Sequence, residues 1–273
     1  MTAKPVVVIV DAYSTARHLV PLFRERGYDL VHVQSRPTVP PAYAPSFRPA
    51  AFGANIVSTG PLEQVLDAVA AHRPVALLAG ARSGADTADA LAESLGLRSN
   101  GTRLGAVRRE RPLMAEALRA AGVRGAGRLL EPGGPAECTY HVNTVSLDGL
   151  HHVSDIWTSR QPGEAGGRDP VSGLRLLPCR GPEQDLIVEA GFAMLDALGI
   201  RNGPARVGFE LAPGGPRPVD IGTGIWGVLP VLARQAIGES QLEWTVDAHV
   251  APERFRMRAA GDYVIRPGAL VCL

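Results

Sequence analysis

Short apolar runs alternate with amphipathic stretches through the first hundred residues of the chain. The runs at 6–10, 30–34 and 74–79 are rich in valine, leucine and alanine, and they predict buried strands. Amphipathic stretches predict helices at residues 15–26, 62–72 and 83–95. Strands and helices that alternate in this way predict an α/β half with a parallel sheet and helices on both of its faces.

A proline-rich segment, residues 36–49, interrupts this alternation. It contains five prolines, which prevent regular structure. We expect a long loop or a lid at this position.

The hydrophobic pattern changes beyond residue 140. A helix at 108–121 and a connector at 122–138 without periodicity come first, and alternating residues at 140–146 and 151–157 then predict a hairpin around a tight turn. A second hairpin is predicted within 203–227, around Pro213-Gly214-Gly215-Pro216, and helices are predicted at residues 183–198, 225–237 and 241–248. This pattern predicts an α+β half with an antiparallel sheet, and domains at residues 1–105 and 106–273.

Composition excludes few functions but limits the chemistry. The chain has 273 residues, 45% hydrophobic and 20% charged, with a net charge of +1, so neither nucleic acid nor a membrane is an expected partner. Lys4 is the only lysine among 28 basic residues. A mechanism that needs a lysine therefore has only a residue near the N-terminus to use.

Targeting and metal-binding signals are weak. The chain starts close to an apolar strand without a signal-peptide pattern and has no apolar run of about 18 residues, so we expect a cytoplasmic protein. Its three cysteines are far apart and form no C-x-x-C pair, which predicts neither a disulfide framework nor a structural zinc site.

Several blocks of sequence together resemble one family. In chain order they are VVVIVDAYST, LLAGARSGADTADALAESLGLRSNG, RRERPLMAEALRAAGV, YHVNTVSLDGLHHVSDIW and GFAMLDALGIRNGPARVGFELAPGGPRPVDIG. Their number and order resemble the ATP-grasp carboxylate-amine ligases of the L-amino-acid ligase type. The resemblance implies an α/β N-terminal parallel sheet followed by an α+β ATP-grasp-like half. It also implies that the hairpin within 203–227 is the one that holds magnesium and ATP in that family.

The chain departs from the family pattern at several points. The resemblance implies a lid subdomain between the helix at 108–121 and the strand at 140, where this chain has only its connector. A family lysine maps onto Arg111, one acidic metal ligand maps onto Gly208 and the other onto Asp220, and a family arginine maps onto Gly224. Because magnesium and phosphoryl transfer depend on such charges, these departures predict a truncated, degenerate site that has lost ATP and Mg²⁺. No other cofactor and no metal is expected.

Two acidic residues of the second hairpin are the first candidates for catalysis. Strand periodicity places Arg206, Gly208 and Glu210 on one face, and Asp220 belongs to the same cleft if the family hairpin is preserved. Glu210 and Asp220 could act as general acid and base, with pKa values separated by burial and by Arg206. The alternative is that both acids simply pair with Arg206 or Arg217 at the sheet surface.

The first hairpin supplies further candidates. Simple alternation places His151, Asp155 and Trp157 on one face and His152 on the other. We predict His152 as a catalytic residue beside Glu210, Asp220 and Arg206, with a hydrogen-bonded strand histidine as the alternative. The predicted substrate-binding residues are His141, Asn143, Asp155, Trp157 and Trp226, although core packing is an alternative for the two tryptophans.

Polar residues also follow the strands of the first half. Asp11 and Ser14 lie at the carboxyl end of the first strand, the usual ligand edge of an open α/β sheet. Ser83-Gly84 begins a helix and could serve only as its N-cap.

These observations lead to one main functional expectation. It is an ATP-independent enzyme, a homodimer, that performs acid-base chemistry such as elimination, addition or cyclisation on a small natural-product intermediate. Two alternatives stay open. The protein could be a non-catalytic pseudoenzyme that binds a metabolite or a partner ligase, or a residual ATP-dependent carboxylate-amine ligase.

Overall fold

The computed structural model describes residues 3–131, 140–159, 174–225 and 227–269. Within these ranges the first half forms a parallel sheet of strands β1 (Val6–Val10), β2 (Asp29–Gln34), β3 (Ala54–Val57) and β4 (Pro74–Ala79). The strand order is β3-β2-β1-β4. Its helices are α1 (Leu19–Glu25), α2 (Leu62–Ala70) and α3 (Ala85–Ser94). The predicted α/β half is confirmed.

The second half is built on an antiparallel sheet, as predicted. Its strands, in the order β7-β6-β5-β8-β9, are β5 (Tyr140–Leu147), β6 (Leu150–Ser159), β7 (Leu174–Leu176), β8 (Gly203–Ala212) and β9 (Gly215–Thr223). The helices are α4 (Gly105–Arg109), α5 (Arg111–Ala120), α6 (Pro182–Ala197), α7 (Leu229–Ile237), α8 (Gln241–Val250) and α9 (Pro252–Arg258). The predicted boundary at residue 105 stays a prediction.

Strand β3 and helix α9 are among the elements that were not predicted from the sequence. Strand β3 lies at the edge of the parallel sheet, and none of its four residues is fully buried, so its hydrophobic pattern is weak. Helix α9 has the sequence PERFRMR and buries only Phe255. Both elements form because of neighbours in space rather than because of their own periodicity.

The proline-rich segment is a loop, as expected, with two short 3-10 turns at Ala44–Ser46 and Pro49–Ala51. Tyr43 stacks on Tyr13 with ring centroids 5.5 Å apart, and Phe47 meets Tyr13 edge-on at 5.4 Å. Because Tyr13 follows β1, these contacts hold the loop over the carboxyl end of the parallel sheet.

A β-bulge in the first hairpin decides which way its side chains point. Asn143 pairs with Asp155, but the next residue, Thr144, pairs with Val153, so Ser154 is an extra residue in β6. The bulge places His152 on the same face as Asp155 and turns His151 to the opposite face. The predicted grouping, with His151 beside Asp155 and His152 opposed, is therefore wrong.

Helix α8 lies between the two sheets. Leu242 and Val246 pack against apolar residues of the parallel sheet, whereas Trp244 and Ala248 pack against β5. The buried Gln241 side-chain amide donates hydrogen bonds to the carbonyl oxygens of Thr144 (2.9 Å) and Ala205 (2.8 Å). One helix thus covers part of the antiparallel sheet and joins it to the first half.

The predicted shortening between the two halves is also present. Helix α5 is followed by a 3-10 turn at Ala126–Leu130, and only residues 131–139 remain before β5 begins. The family lid has no room there, so the fold class with a deleted central lid is confirmed.

None of the helices in the described ranges is long and apolar enough to cross a membrane. The cytoplasmic location and the homodimer stay predictions.

Candidate active site on the antiparallel sheet

One patch of the antiparallel sheet, the polar face, carries the candidate residues. It is formed by His141 and Asn143 on β5, Arg206, Gly208 and Glu210 on β8, and Asp220 on β9. Strand alternation gathers them, because Ala205, Val207 and Phe209 point to the other face, into the core beneath α5 and α6. The pairing register then places residues of the three strands side by side. Gly208 lies opposite Asp220 and His141, and Arg206 lies opposite Asn143.

Arg206 and Asp220 form an ion pair at the centre of the polar face. Arg206 Nη2 lies 2.9 Å from Asp220 Oδ2. The side chains are 22% and 34% exposed, so both remain accessible to a ligand. The open alternative for Asp220, a pair with Arg206, is what the structure shows.

Glu210 is held by Arg128, a residue that the sequence analysis missed. The Arg128 guanidinium donates from Nη2 to Glu210 Oε1 (3.0 Å) and from Nε to Oε2 (3.2 Å). Arg128 lies in the 3-10 turn after α5, in a stretch where no periodicity indicated its direction. Arg128 also lies 3.3 Å from Glu131, and Arg217 bonds the same Glu131 at 3.3 Å.

His141 lies among these charges. Burial, and next to it the positive charge of Arg206, lowers the pKa of His141 to about 4, although Asp220 raises it somewhat. The imidazole is therefore neutral at pH 7 and can donate or accept a hydrogen bond on the polar face.

Asn143 of the polar face forms a buried network with Asp155 and Trp157, which lie opposite β5 on β6. Asp155 accepts hydrogen bonds from the Asn143 amide, from Trp157 Nε1 at 2.7 Å and from Ser154 Oγ at 2.9 Å. Burial raises the pKa of Asp155 to about 6, against the lowering effect of these bonds. Asp155 is 0% and Trp157 1% exposed, which places both in the interior. Their predicted contact with substrate stays a prediction.

His152 lies apart from the other candidates. It pairs with Val145, four residues along β5 from His141, a distance of about 13 Å at 3.3 Å per residue. Its ring lies on Trp244 with centroids 3.6 Å apart, and Nδ1–H donates to the Ala259 carbonyl at 3.0 Å. Burial lowers its pKa to about 4. The structure does not bring His152 to Glu210 and Asp220, and the hydrogen-bonded alternative describes its surroundings.

The remaining candidates have other surroundings. Arg111, at the start of α5, donates to the Leu129 carbonyl at 3.2 Å. Asp11 is buried and accepts hydrogen bonds from Ser35 Oγ and Ser83 Oγ, both at 2.6 Å. Ser83 therefore does not cap α3, whose N-cap is Gly84. Trp226 lies outside the described residues.

Acidification from pH 7 to pH 5 is expected to destabilise the protein. His141 and His152 have a pKa of about 4 when folded, against about 6.5 when unfolded, so the unfolded chain binds more protons between these values. Stability therefore falls as the pH drops from about 6.5 to about 4. Asp155 acts in the opposite sense, because its raised pKa of about 6 lets the folded state bind the extra proton.

Burial also lowers the pKa of His18, His32 and His249 and raises that of Asp89, so the histidines outnumber the opposing aspartates. The net slope is on the order of 1 kcal/mol per pH unit. Urea unfolding at several pH values between 5 and 7 measures it, and His152→Gln should make it shallower. A wild-type stability that rises on acidification would contradict the expectation.

The chain has a parallel α/β half joined to an antiparallel sheet that carries the polar face. This is the fold of the ATP-grasp carboxylate-amine ligases. Dapdiamide A synthase from Enterobacter agglomerans is 25% identical over an alignment 360 positions long, which covers 97% of this chain and 80% of that protein. No protein-family model matches the chain.

Two solved structures support the assignment of the fold. An L-amino acid ligase from Bacillus licheniformis has a TM-score of 0.65 and 16% identity, over 91% of this chain and 75% of that one. An N5-carboxyaminoimidazole ribonucleotide synthetase in its ADP complex has a TM-score of 0.65 and 14% identity, over 91% and 77%. The resemblance stated from the sequence is confirmed.

The comparisons correct two expectations. The chain is similar to a synthase and to a ligase, enzymes that form bonds, so the expectation of an ATP-independent lyase or cyclase is wrong. The expectation that ATP and Mg²⁺ have been lost is wrong as well, since a neighbour with the same fold holds ADP. Gly208, Gly224 and Arg111 differ from the family pattern, but these differences alone do not show that ATP and Mg²⁺ binding has been lost.

The polar face has donors of the kind that a magnesium nucleotide needs. Mg²⁺ in nucleotide sites is usually held by one or two carboxylates together with phosphate oxygens and water, rather than by an all-protein cage. Glu210 and Asp220 supply two hard oxygen ligands on one face. Arg128 and Arg206 supply planar guanidinium groups, which match phosphate geometry. The residues present therefore fit the group.

Proposed function

We propose that the protein is an ATP-dependent ligase that joins a carboxylate to an amine. The observation that carries this proposal is the similarity to Dapdiamide A synthase along 97% of the chain. A similarity of this extent includes both sheets and the polar face. The proposal replaces the expectation of elimination or cyclisation and takes up the alternative of a ligase that lacks the family lid.

The charges on the polar face support the proposal. A carboxylate does not react with an amine unless it is activated, and phosphoryl transfer from ATP can supply the activation. Such transfer depends on positioning and on neutralisation of phosphate charge. Asp220 and Glu210 would hold Mg²⁺, while Arg206 and Arg128 would orient the phosphates. Arginine takes this role because the only lysine, Lys4, lies near the N-terminus, just before β1.

His141 has a supporting role in this arrangement. Its lowered pKa leaves the imidazole neutral, which keeps a second positive charge away from the Arg206 guanidinium. The ring can therefore hydrogen-bond a substrate without competing with Arg206 for phosphate oxygens.

A ligase assay tests the proposal. Purified protein is incubated with ATP, Mg²⁺ and pairs of amino acids or other small carboxylates and amines, while ADP release is followed by a coupled assay and amide products by mass spectrometry. We expect ADP release that depends on both partners, with one amide formed for each ADP.

Nucleotide binding is measured on the same preparation by thermal shift with ATP and Mg²⁺, which separates a wrong choice of substrates from a wrong function. A shift without turnover calls for a wider substrate panel. No shift and no ADP release with any pair would overturn the proposal and favour a non-catalytic binding protein.

A further inference from the structure

We infer that the two arginine-carboxylate pairs of the polar face are an exchange device, in which nucleotide phosphates take Arg128 and Arg206 and thereby release Glu210 and Asp220 to Mg²⁺. The inference rests on the proposed function for the identity of the ligand. It concerns residues of this chain that its departures from the family pattern leave unexplained, above all Arg128 and Glu210.

Charge balance is the first argument. Arg128, Arg206, Glu210 and Asp220 together carry no net charge, and ion pairs join Arg128 to Glu210 and Arg206 to Asp220. Arg128 also lies 3.3 Å from the exposed Glu131, so its pair with Glu210 is part of a small network. In each pair the guanidinium could bind an anion and the carboxylate could bind a cation, but the two groups are bound to each other. A free cation would have to displace a guanidinium from its carboxylate, and a free polyphosphate would have to displace a carboxylate from its guanidinium.

Partial burial is the second argument. Side-chain exposures are 12% for Arg128 and 20% for Glu210, and 22% for Arg206 and 34% for Asp220. Charges at this depth interact more strongly than they do in bulk water, so a guanidinium left alone or a carboxylate left alone is costly. When phosphates and Mg²⁺ arrive together, each group exchanges one partner for another and none is left alone.

Geometry is the third argument. Arg128 holds Glu210 through two N–H groups, the bidentate arrangement that guanidinium also makes with phosphate. The same two N–H groups can bond a phosphate in place of the carboxylate. Asp220 lies opposite Gly208, so no side chain on β8 at that register position competes for its oxygens.

Two simple probes test the exchange without turnover. Mn²⁺ binding without nucleotide is measured by electron paramagnetic resonance, and tripolyphosphate binding in the presence of a chelator is measured by calorimetry. Arg206→Gln should bind Mn²⁺ about tenfold more tightly than the wild type and tripolyphosphate about tenfold more weakly. Asp220→Asn should shift both affinities in the opposite directions.

An exposed ion pair at the other end of the antiparallel sheet provides the control. Asp148, at the turn between β5 and β6, pairs with Arg98, which follows α3, with Nε and Oδ1 3.2 Å apart. Arg98→Gln and Asp148→Asn should leave both affinities unchanged. Arg206→Lys, which keeps the positive charge, should keep the wild-type affinity for Mn²⁺ and guards against a variant that fails to fold.

The outcomes separate this inference from the proposed function. Opposite shifts in the two variants support the exchange, even if the ligase assay shows no ADP release and the proposed function fails. Unchanged affinities, or shifts in the same direction for both probes, overturn the exchange, even if the ligase assay succeeds.

Discussion

Replacement of Asp220 by Asn is expected to lower kcat/KM for the ATP-dependent reaction at least about a hundredfold, with the protein still folded. Asp220 is the acid of the polar face onto which the resemblance maps a family metal ligand, and it lies 2.9 Å from Arg206. The amide is a weak ligand for Mg²⁺ and cannot balance the guanidinium. Charge neutralisation is lost where phosphoryl transfer needs it most.

Steady-state kinetics with ATP and the best substrate pair measure this effect, and thermal unfolding checks that the variant is folded. Asp148→Asn is the matched control, because Asp148 pairs with arginines at the far end of the sheet. An Asp220→Asn enzyme with wild-type kcat/KM would show that the polar face is not the site of the reaction.

Replacement of Trp157 by Ala is expected to lower the free energy of unfolding by about 3–5 kcal/mol. Trp157 is 1% exposed and packs against Leu174, Leu176, Leu229 and Ala233. Its indole N–H also donates to Asp155 at 2.7 Å, so the substitution leaves both a large cavity and one buried acceptor with fewer donors.

Urea unfolding measures the loss, and Trp157→Phe should lose less because most of the packing remains. The experiment also decides the role predicted from the sequence. A Trp157→Ala protein of unchanged stability but raised KM would establish Trp157 as a substrate contact after all.

Alternation in the sequence predicts side-chain directions correctly where a strand is regular and wrongly where it contains a bulge. Alternation along β8 placed Arg206, Gly208 and Glu210 on one face, and the structure shows them there. The same rule failed along β6 because Ser154 is an extra residue, which reverses the direction of every side chain on one side of it. Nothing in the run Val153-Ser154-Asp155 distinguishes a bulge from continuous pairing.

The expectation about ATP failed for a different reason. It compared Gly208, Gly224 and Arg111 with the family pattern one position at a time. A binding site depends on which charged side chains meet in space. Arg128 contributes a positive charge and Glu210 a negative charge at the polar face, from positions outside that pattern. Arg128 comes from a stretch where the sequence shows no periodicity at all.

The sequence by itself determined the two-part fold, the parallel or antiparallel character of its sheets and the face of β8 that carries charge, because these follow from local hydrophobic periodicity. Only the tertiary structure decided that Asp220 pairs with Arg206, that Arg128 reaches Glu210, and that Asp155, Trp157 and His152 are buried. These outcomes depend on register, on one bulge and on helices packed from distant parts of the chain. No local pattern encodes them, because each requires residues far apart in sequence to meet.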